Sequence, residues 1–353
     1  MLPFLFGILS LVFSPMPKAL MPPEEAELLF VGDAMQHQSQ LDAARQKGGG
    51  RYDYSGCFDA ISPYVRKADY AIVNFEASIG GSPHTGYPCF SAPEEYASAL
   101  VDAGFDYFLL ANNHILDRRD RGLHRTIDAL DSLRIPHSGI YHDAAARDSL
   151  CPEVITVNGF RLAMLNYTYG TNGITLQGPA IVNYIDIDNI ARDCARARGV
   201  GAELVCVCIH WGDEYHLLPN QSQKSMADKL VSMGVDLVIG GHPHVIQPME
   251  MRRRPDGSQA LVVYSLGNFL SGMKTDDTRG GAMVRVRLKR DSKGRALVDC
   301  ADYSLVYVDP GFRLVPVADA QDSRSKSFRR NAEAIFKKHN VNVPADSVFM
   351  KLK

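Results

Sequence analysis

Gly240-Gly241-His242-Pro243-His244 follows the short apolar run Leu237 to Ile239. Five other runs end in a similar way. Leu28 to Val31 leads into Gly32-Asp33, Tyr70 to Val73 into Asn74-Phe75-Glu76, and Tyr107 to Leu110 into Ala111-Asn112-Asn113-His114. Leu204 to Ile209 leads into His210-Trp211-Gly212, and Leu261 to Leu266 into Gly267-Asn268. Short runs rich in leucine and β-branched residues suit strands buried on both faces, as in parallel sheets covered by helices. Open α/β sheets bind ligands at the carboxyl ends of their strands. The recurrence therefore gathers nitrogen and oxygen donors along one edge, as a metal site requires.

Helical patterns separate these runs. Pro93 to Ala103 precedes Gly104, Gly122 to Leu133 precedes Ile135-Pro136, and Gln221 to Met233 precedes Gly234, each with apolar residues at three- and four-residue spacing. Asn158-Gly159 splits Val154 to Thr168 into a hairpin with a type I′ turn. Met283 to Leu288 and Ala296 to Val308 form a second hairpin or meander around Asp291 to Arg295. Parallel units with added hairpins predict two packed mixed sheets covered by helices. Beyond Pro310 the chain turns basic and polar, and Ser325 to His339 reads as an amphipathic helix through Phe328, Ala332, Ile335 and Phe336.

The 353 residues, 46% hydrophobic and 22% charged, fit one large α/β domain with a tail. A net charge of -2 gives no electrostatic footprint for nucleic acid, and Arg118, Arg119, Arg121 and Arg252 to Arg254 read as solvated loop charge. Leu2 to Phe13 has the length of a signal-peptide core and is followed by Ser14-Pro15-Met16-Pro17-Lys18-Ala19. Residues 1–24 thus read as a signal peptide or amino-terminal anchor, residues 25–310 as the main domain and residues 311–353 as a basic helical tail. The expected location is outside the cytoplasm, periplasmic or at the cell surface. Of seven cysteines, Cys57 and Cys89 are the candidate bridge, while Cys206 and Cys208 share a strand face as buried small hydrophobes.

In an extended His242-Pro243-His244 segment both rings would point the same way, and two imidazoles so held suit Zn, Fe or Mn. Glu76 is informative because a carboxylate inside the strand Ala71, Ile72, Val73 and Phe75 is costly unless paired or bound to metal. Asp33 and Asn113 have a second reading as helix or turn caps, and His210 one as a hydrogen-bonded core residue. His37, His84, His124, His137, His142, His216 and His339 read individually as ordinary histidines, His37 being the nearest to a site role.

Gly32-Asp33, Asn74-Phe75-Glu76, Asn112-Asn113-His114, His210-Trp211-Gly212, Gly241-His242-Pro243-His244 and Tyr264 to Phe269 occur in the order of the bacterial capsule synthesis family, which this chain resembles over about residues 27–310. That family serves poly-γ-glutamate capsule biosynthesis and is similar to the calcineurin-like metallophosphoesterases. The resemblance implies a four-layer α/β/β/α sandwich and one or two divalent transition metal ions. It also implies that Asp33 ligates a first metal, Glu76 bridges, Asn113, His210 and His242 serve a second metal, and His244 returns to the first. His114 would be a general acid or oxyanion donor, and Asp33 would stand with it in the catalytic set.

The departures from the phosphoesterase pattern carry an expectation too. Asp33 is followed by Ala34 and Met35 where that pattern has Asp-x-His, Ile115 stands where it has an acid, and Glu76 replaces a bridging aspartate. Asp117 is the nearest carboxylate after His114. A weaker first site or a single ion follows. Three functions stay open: a metal-dependent phosphoester hydrolase, a metal-dependent γ-glutamyl amide hydrolase, and a non-catalytic factor that binds or exports an anionic polymer. Expected partners are that polymer or a phosphoester, and membrane-associated capsule assembly proteins.

Overall fold

Alternate residues of each central strand face two different apolar layers, which is why the strand runs lack a polar face. Leu28 and Phe30 point into a layer shared with Leu204, Cys206, Cys208, Leu237 and Ile239, whereas Leu29 and Val31 point the other way, onto Tyr96, Leu100, Leu123 and Ile127. On the far side Val205, Val207 and Val238 meet Ile190, Ala197, Ala227 and Leu230. Two sheets therefore pack face to face and each carries helices on its outer face, giving the expected four-layer sandwich. The computed structural model describes residues 25–346. The amino-terminal segment read as an export signal or anchor lies outside the described residues.

The eight-stranded sheet runs in the order Leu314–Pro316, Ala296–Val308, Gly280–Arg290, Glu25–Met35, Tyr70–Glu76, Tyr107–Leu109 and His137–Ser138, with Asn268–Leu270 also paired to Glu25–Met35. The six-stranded sheet runs Met249–Arg253, Gln259–Val263, Leu237–Gly241, Leu204–His210, Phe160–Thr168 and Glu153–Val157. In both sheets the strands that carry the candidate ligands are mutually parallel. Antiparallel hairpins extend the edges. At the turn between Glu153–Val157 and Phe160–Thr168, Asn158 and Gly159 both take positive φ, 47° and 81°, as a type I′ turn requires.

Helix boundaries follow the sequence signals closely. Glu94–Ala103 stops at Gly104, whose φ is 112°, and Gln221–Ser232 begins at Asn220, whose side chain accepts from Gln223 N while Gln223 reaches back in a capping box. The first turn of the helix expected at Gly122 starts earlier, at Arg119. Arg252 pairs with Asp228 and Glu250, and Arg254 with Asp236. Cys206 and Cys208 share a buried face with their sulfurs 3.6 Å apart. The Cys57–Cys89 bridge does not form: both are free thiols. Cys57 sits in a turn whose carbonyl accepts from Leu314 N, while Cys89 lies in a loop fastened by Phe90 N to Asp117, so the fold ties the two to different places.

The carboxyl-terminal helix Ser323–His339 buries Phe328, Ala332 and Phe336 in the layer between the sheets. Phe328 presses on Gly280 so closely that a Cβ there would meet its ring at 2.7 Å. Beyond the helix, Val341 bridges to Glu250, Ala345 bridges to Tyr303, and Arg285 bonds Asp302 and Asp346. Phe328→Ala should therefore cost about 3–5 kcal/mol of unfolding free energy, the range for a buried aromatic. Urea unfolding would check it, and a loss under about 1 kcal/mol would mean that the helix is dispensable to the core.

Candidate metal centre

Gly32 brings two strand ends into contact. A Cβ on it would stand 1.9 Å from the carbonyl oxygen of Gly267, and Asp33 N donates to that same oxygen at 3.0 Å. Gly267 takes a φ of +71°, the left-handed region glycine tolerates. On the opposing sheet Gly241 is just as constrained, because a Cβ there would come 2.8 Å from Asp33 Oδ1. The edges of the two sheets thereby close on one another around Asp33.

Asp33, Glu76, His210, His242 and His244 converge at this point, all buried. Donor atoms of Asp33, Glu76 and His210 lie within 4.8 Å of one another, as do those of Glu76, His242 and His244. Glu76 belongs to both trios. Asp33 Oδ2 also stands 3.3 Å from His244 Nδ1, and Glu76 Oε1 is 3.5 Å from His210 Nε2 and 3.8 Å from His244 Nε2. Asn113 Oδ1 reaches His210 Nε2 at 2.8 Å, and Asn74 donates to Asp33 Oδ1 at 2.7 Å.

The His242-Pro243-His244 segment is not extended. His242 and His244 have φ of +97° and +58°, a conformation that side-chain-bearing residues adopt at a cost and that clusters at functional sites. The rings still converge, with centroids 5.9 Å apart. The turn is held by Trp211 N to Gly241 O and Tyr215 N to Pro243 O. His37 does not join the group: it precedes the helix Gln38–Lys47 as its N-cap, and its Nδ1 accepts from Gly272 N at 3.1 Å.

Charge in this buried space is finely divided. Burial pushes the Asp33 carboxyl up, but a hydrogen bond from His244, the charges of His210 and His244, and the Asn74 amide outweigh it and hold the group at about 2. Burial, reinforced by Asp33, raises the Glu76 carboxyl well above its ordinary value. His210 falls to about 3 and His242 to about 2, chiefly through burial. His244 rises to about 9, because Glu76 and Asp33 overcome its burial. His210 and His242 are thus neutral, as a divalent cation requires, whereas His244 holds a proton that cation binding would release. Both Glu76 oxygens and His242 Nδ1 are buried with no hydrogen-bond partner. Orphaned acceptors in a native fold call for an explanation, and a divalent cation supplies it, so the residues fit a metal.

His114 lies beside this cluster, with Nδ1 2.8 Å from Asp117 Oδ2 and its ring 4.5 Å from that of Phe90. Asp117 also accepts from Phe90 N at 2.7 Å. A fixed Nδ1 leaves Nε2 as the working nitrogen. Asp117 thus supplies, three residues on, the carboxylate missing at Ile115, and that spacing was the available signal. Asn166 had a fainter one, a lone amide in an apolar strand. Its Oδ1 accepts from Leu110 N at 2.9 Å and Ala111 N at 2.7 Å, and its Nδ2 donates to Cys208 O. That side chain staples the second sheet beneath the Asn112 to His114 turn of the first.

The profile of the bacterial capsule synthesis protein PGA_cap matches residues 27–273. The capsule biosynthesis protein CapA of Bacillus anthracis is 28% identical over 319 residues, 87% of this chain and 73% of its own. The PGA biosynthesis protein CapA of Bacillus subtilis (strain 168) is 28% identical over 75% of this chain and 68% of its own. Among solved structures, a Staphylococcus aureus protein named as a 5′-nucleotidase aligns with a TM-score of 0.51 at 16% identity, over 88% of this chain and 58% of that one. Haemophilus influenzae NAD nucleotidase aligns with a TM-score of 0.49 at 15% identity, over 93% and 66%. The Staphylococcus aureus likeness is one of fold, and the chain spans less than two thirds of either structure.

Proposed function

Because the chain belongs to the bacterial capsule synthesis family, we propose that it is an exported, divalent-metal-dependent hydrolase of capsule biosynthesis that cleaves phosphoester bonds. The observation that carries the reading is Glu76, shared by two trios of buried donors with both its oxygens lacking any hydrogen-bond partner. Bound divalent cations supply Lewis acidity at a phosphoryl oxygen and activate water for in-line attack. Asp33, Glu76, Asn113, His210, His242 and His244 are the residues that would hold them, as one or two ions of Mn, Fe or Zn. Asp117 fixes the tautomer and orientation of His114, whose Nε2 gives a proton to the leaving oxygen.

The test is metal content of the purified protein together with release of phosphate from phosphomono- and phosphodiesters, with γ-glutamyl peptides alongside. Turnover abolished by a chelator and restored by Mn²⁺ or Zn²⁺ is the expected result. A fully loaded protein that turns over none of the panel would sink the enzymatic reading. His114→Asn should lower kcat by about 10²–10⁴-fold with metal content unchanged, the range for losing a positioned general acid. Asp117→Asn should cost about tenfold or more, since it disturbs the orientation of the imidazole together with the hold on Phe90 N.

One observation favours a second reading, a surface factor that handles an anionic polymer such as poly-γ-glutamate. Tyr87, Tyr169 and Tyr215 are each about half exposed or more, and their rings stand 6.3 Å from His114, 4.6 Å from His242 and 6.1 Å from His244. Amphipathic rings around a metal site suit a chain of methylenes, amides and carboxylates. Polymer binding that survives His114→Asn and falls in Tyr169→Ala would favour it.

A further inference from the structure

The ligands around His244 are unevenly supplied. Asp33, Glu76 and His210, with Asn113 Oδ1 2.8 Å from His210, can serve one ion, but Glu76, His242 and His244 leave its neighbour with three side chains. His37 does not complete it, because its Nδ1 is held by Gly272 N. One more carboxylate faces the cluster. Glu214 places Oε1 4.0 Å from His244 Nε2, from a rim loop.

The loop that carries Glu214 is fixed on both flanks. Tyr215 has a φ of +66° and donates its N–H to Pro243 O at 2.8 Å, inside the His242 to His244 turn. Gly212 has a φ of +88°, and a Cβ on it would meet Gln223 at 2.6 Å. Asp213 turns away, accepting from Asn220 Nδ2 at 2.7 Å. The backbone is thus set so that one carboxylate of the pair faces outward to a helix cap and the other inward to the histidines. Two ligands each about 2.1 Å from one ion stand roughly 3 to 3.5 Å apart. The Glu214 side chain is 41% exposed and has room to close that gap.

Resting on the metal reading above, we infer that Glu214 is a metal ligand on the His244 side of the centre, completing the Glu76, His242 and His244 trio. A cation held there would also meet the unpartnered oxygens of Glu76, which shares a trio with His244. A third carboxylate beside Asp33 and Glu76 is stable there when cations stand between them.

The experiment titrates Mn²⁺ into chelator-treated wild type, Glu214→Ala, Glu214→Asp and Asp213→Asn, by calorimetry and by the electron paramagnetic resonance of the ion. Glu214→Ala should weaken the ion, or one of the two ions, by at least about tenfold, the smaller loss seen when a mere supporting partner of a ligand is removed. Its resonance spectrum should change as well, and Glu214→Asp should fall between. Asp213→Asn removes the same charge from the same loop and should leave affinity as in wild type. Equal affinity in Glu214→Ala and wild type overturns the inference, as does a loss in Asp213→Asn as large as in Glu214→Ala. A wild type that takes up no ion overturns the metal centre itself, and this inference with it. Matching circular dichroism and melting of the metal-free proteins keep folding out of the comparison.

Discussion

Replacing His242 and His244 together by alanine is expected to strip the protein of its divalent metal while leaving the fold in place. Both imidazoles lie in one trio with Glu76, and His244 stands 3.3 Å from Asp33, so the double change removes donors from both ends of the cluster. Losing a single supporting partner of a ligand costs about 10–100-fold in affinity, and two direct ligands should exceed that. Metal at 100 times its dissociation constant stabilises a protein by about 2.7 kcal/mol, and this increment should vanish in the variant. The metal-free variant should melt below metal-free wild type, because Asp33 and Glu76 lose the His244 charge beside them, so metal content rather than melting is the readout. Elemental mass spectrometry decides: unchanged stoichiometry would mean that the histidines do not hold the ion.

Glu76→Gln should pull metal affinity and metal-free stability in opposite directions. The amide keeps the shape of the side chain but removes the negative charge that both trios share, so bound cations repel more and bind less tightly. Each tenfold loss of affinity removes about 1.4 kcal/mol of metal-dependent stabilisation. Without metal the sign reverses. Burial and Asp33 hold the folded-state carboxyl well above its ordinary 4.5, so the folded protein keeps a proton that the unfolded chain releases. The Glu76 contribution to the stability of chelator-treated wild type therefore falls as pH rises above 4.5, and the glutamine variant is spared that one loss. The melting gap between the two should widen with pH in chelator and shrink or reverse when metal is added. Metal titrations with equal affinities would refute the shared role of Glu76.

Six apolar runs ending in Gly, Asp, Asn, Glu or His gave away the parallel strands and the edge on which donors collect, because a strand buried on both faces must be apolar throughout and can afford polar residues only where it ends. Asn158-Gly159 likewise marked its turn by local chemistry alone. Glu76 could be singled out from its apolar neighbours, since a buried carboxylate demands a partner.

Other features depend on which chain segments meet. Asn166 became legible only once the second sheet lay against the Leu110 to His114 turn, 55 residues away along the chain. His37 and His244 are both histidines next to strand ends, yet one caps a helix and the other enters the cluster, a difference set by where each backbone leaves its sheet. The extended geometry expected of His242-Pro243-His244 gave way to left-handed residues because Trp211 and Tyr215 pin that turn from the loop after a neighbouring strand. Cys57 and Cys89, a plausible pair by elimination, were separated by the edge strand and the loop that hold them. Sequence by itself determined which residue types reach the strand ends and the periodicity that builds the layers, since these follow from local burial and turn chemistry. Tertiary structure alone decided which donors face one another, because closing Gly32 on Gly267 and Gly241 on Asp33 brings together groups from both sheets that no local pattern relates.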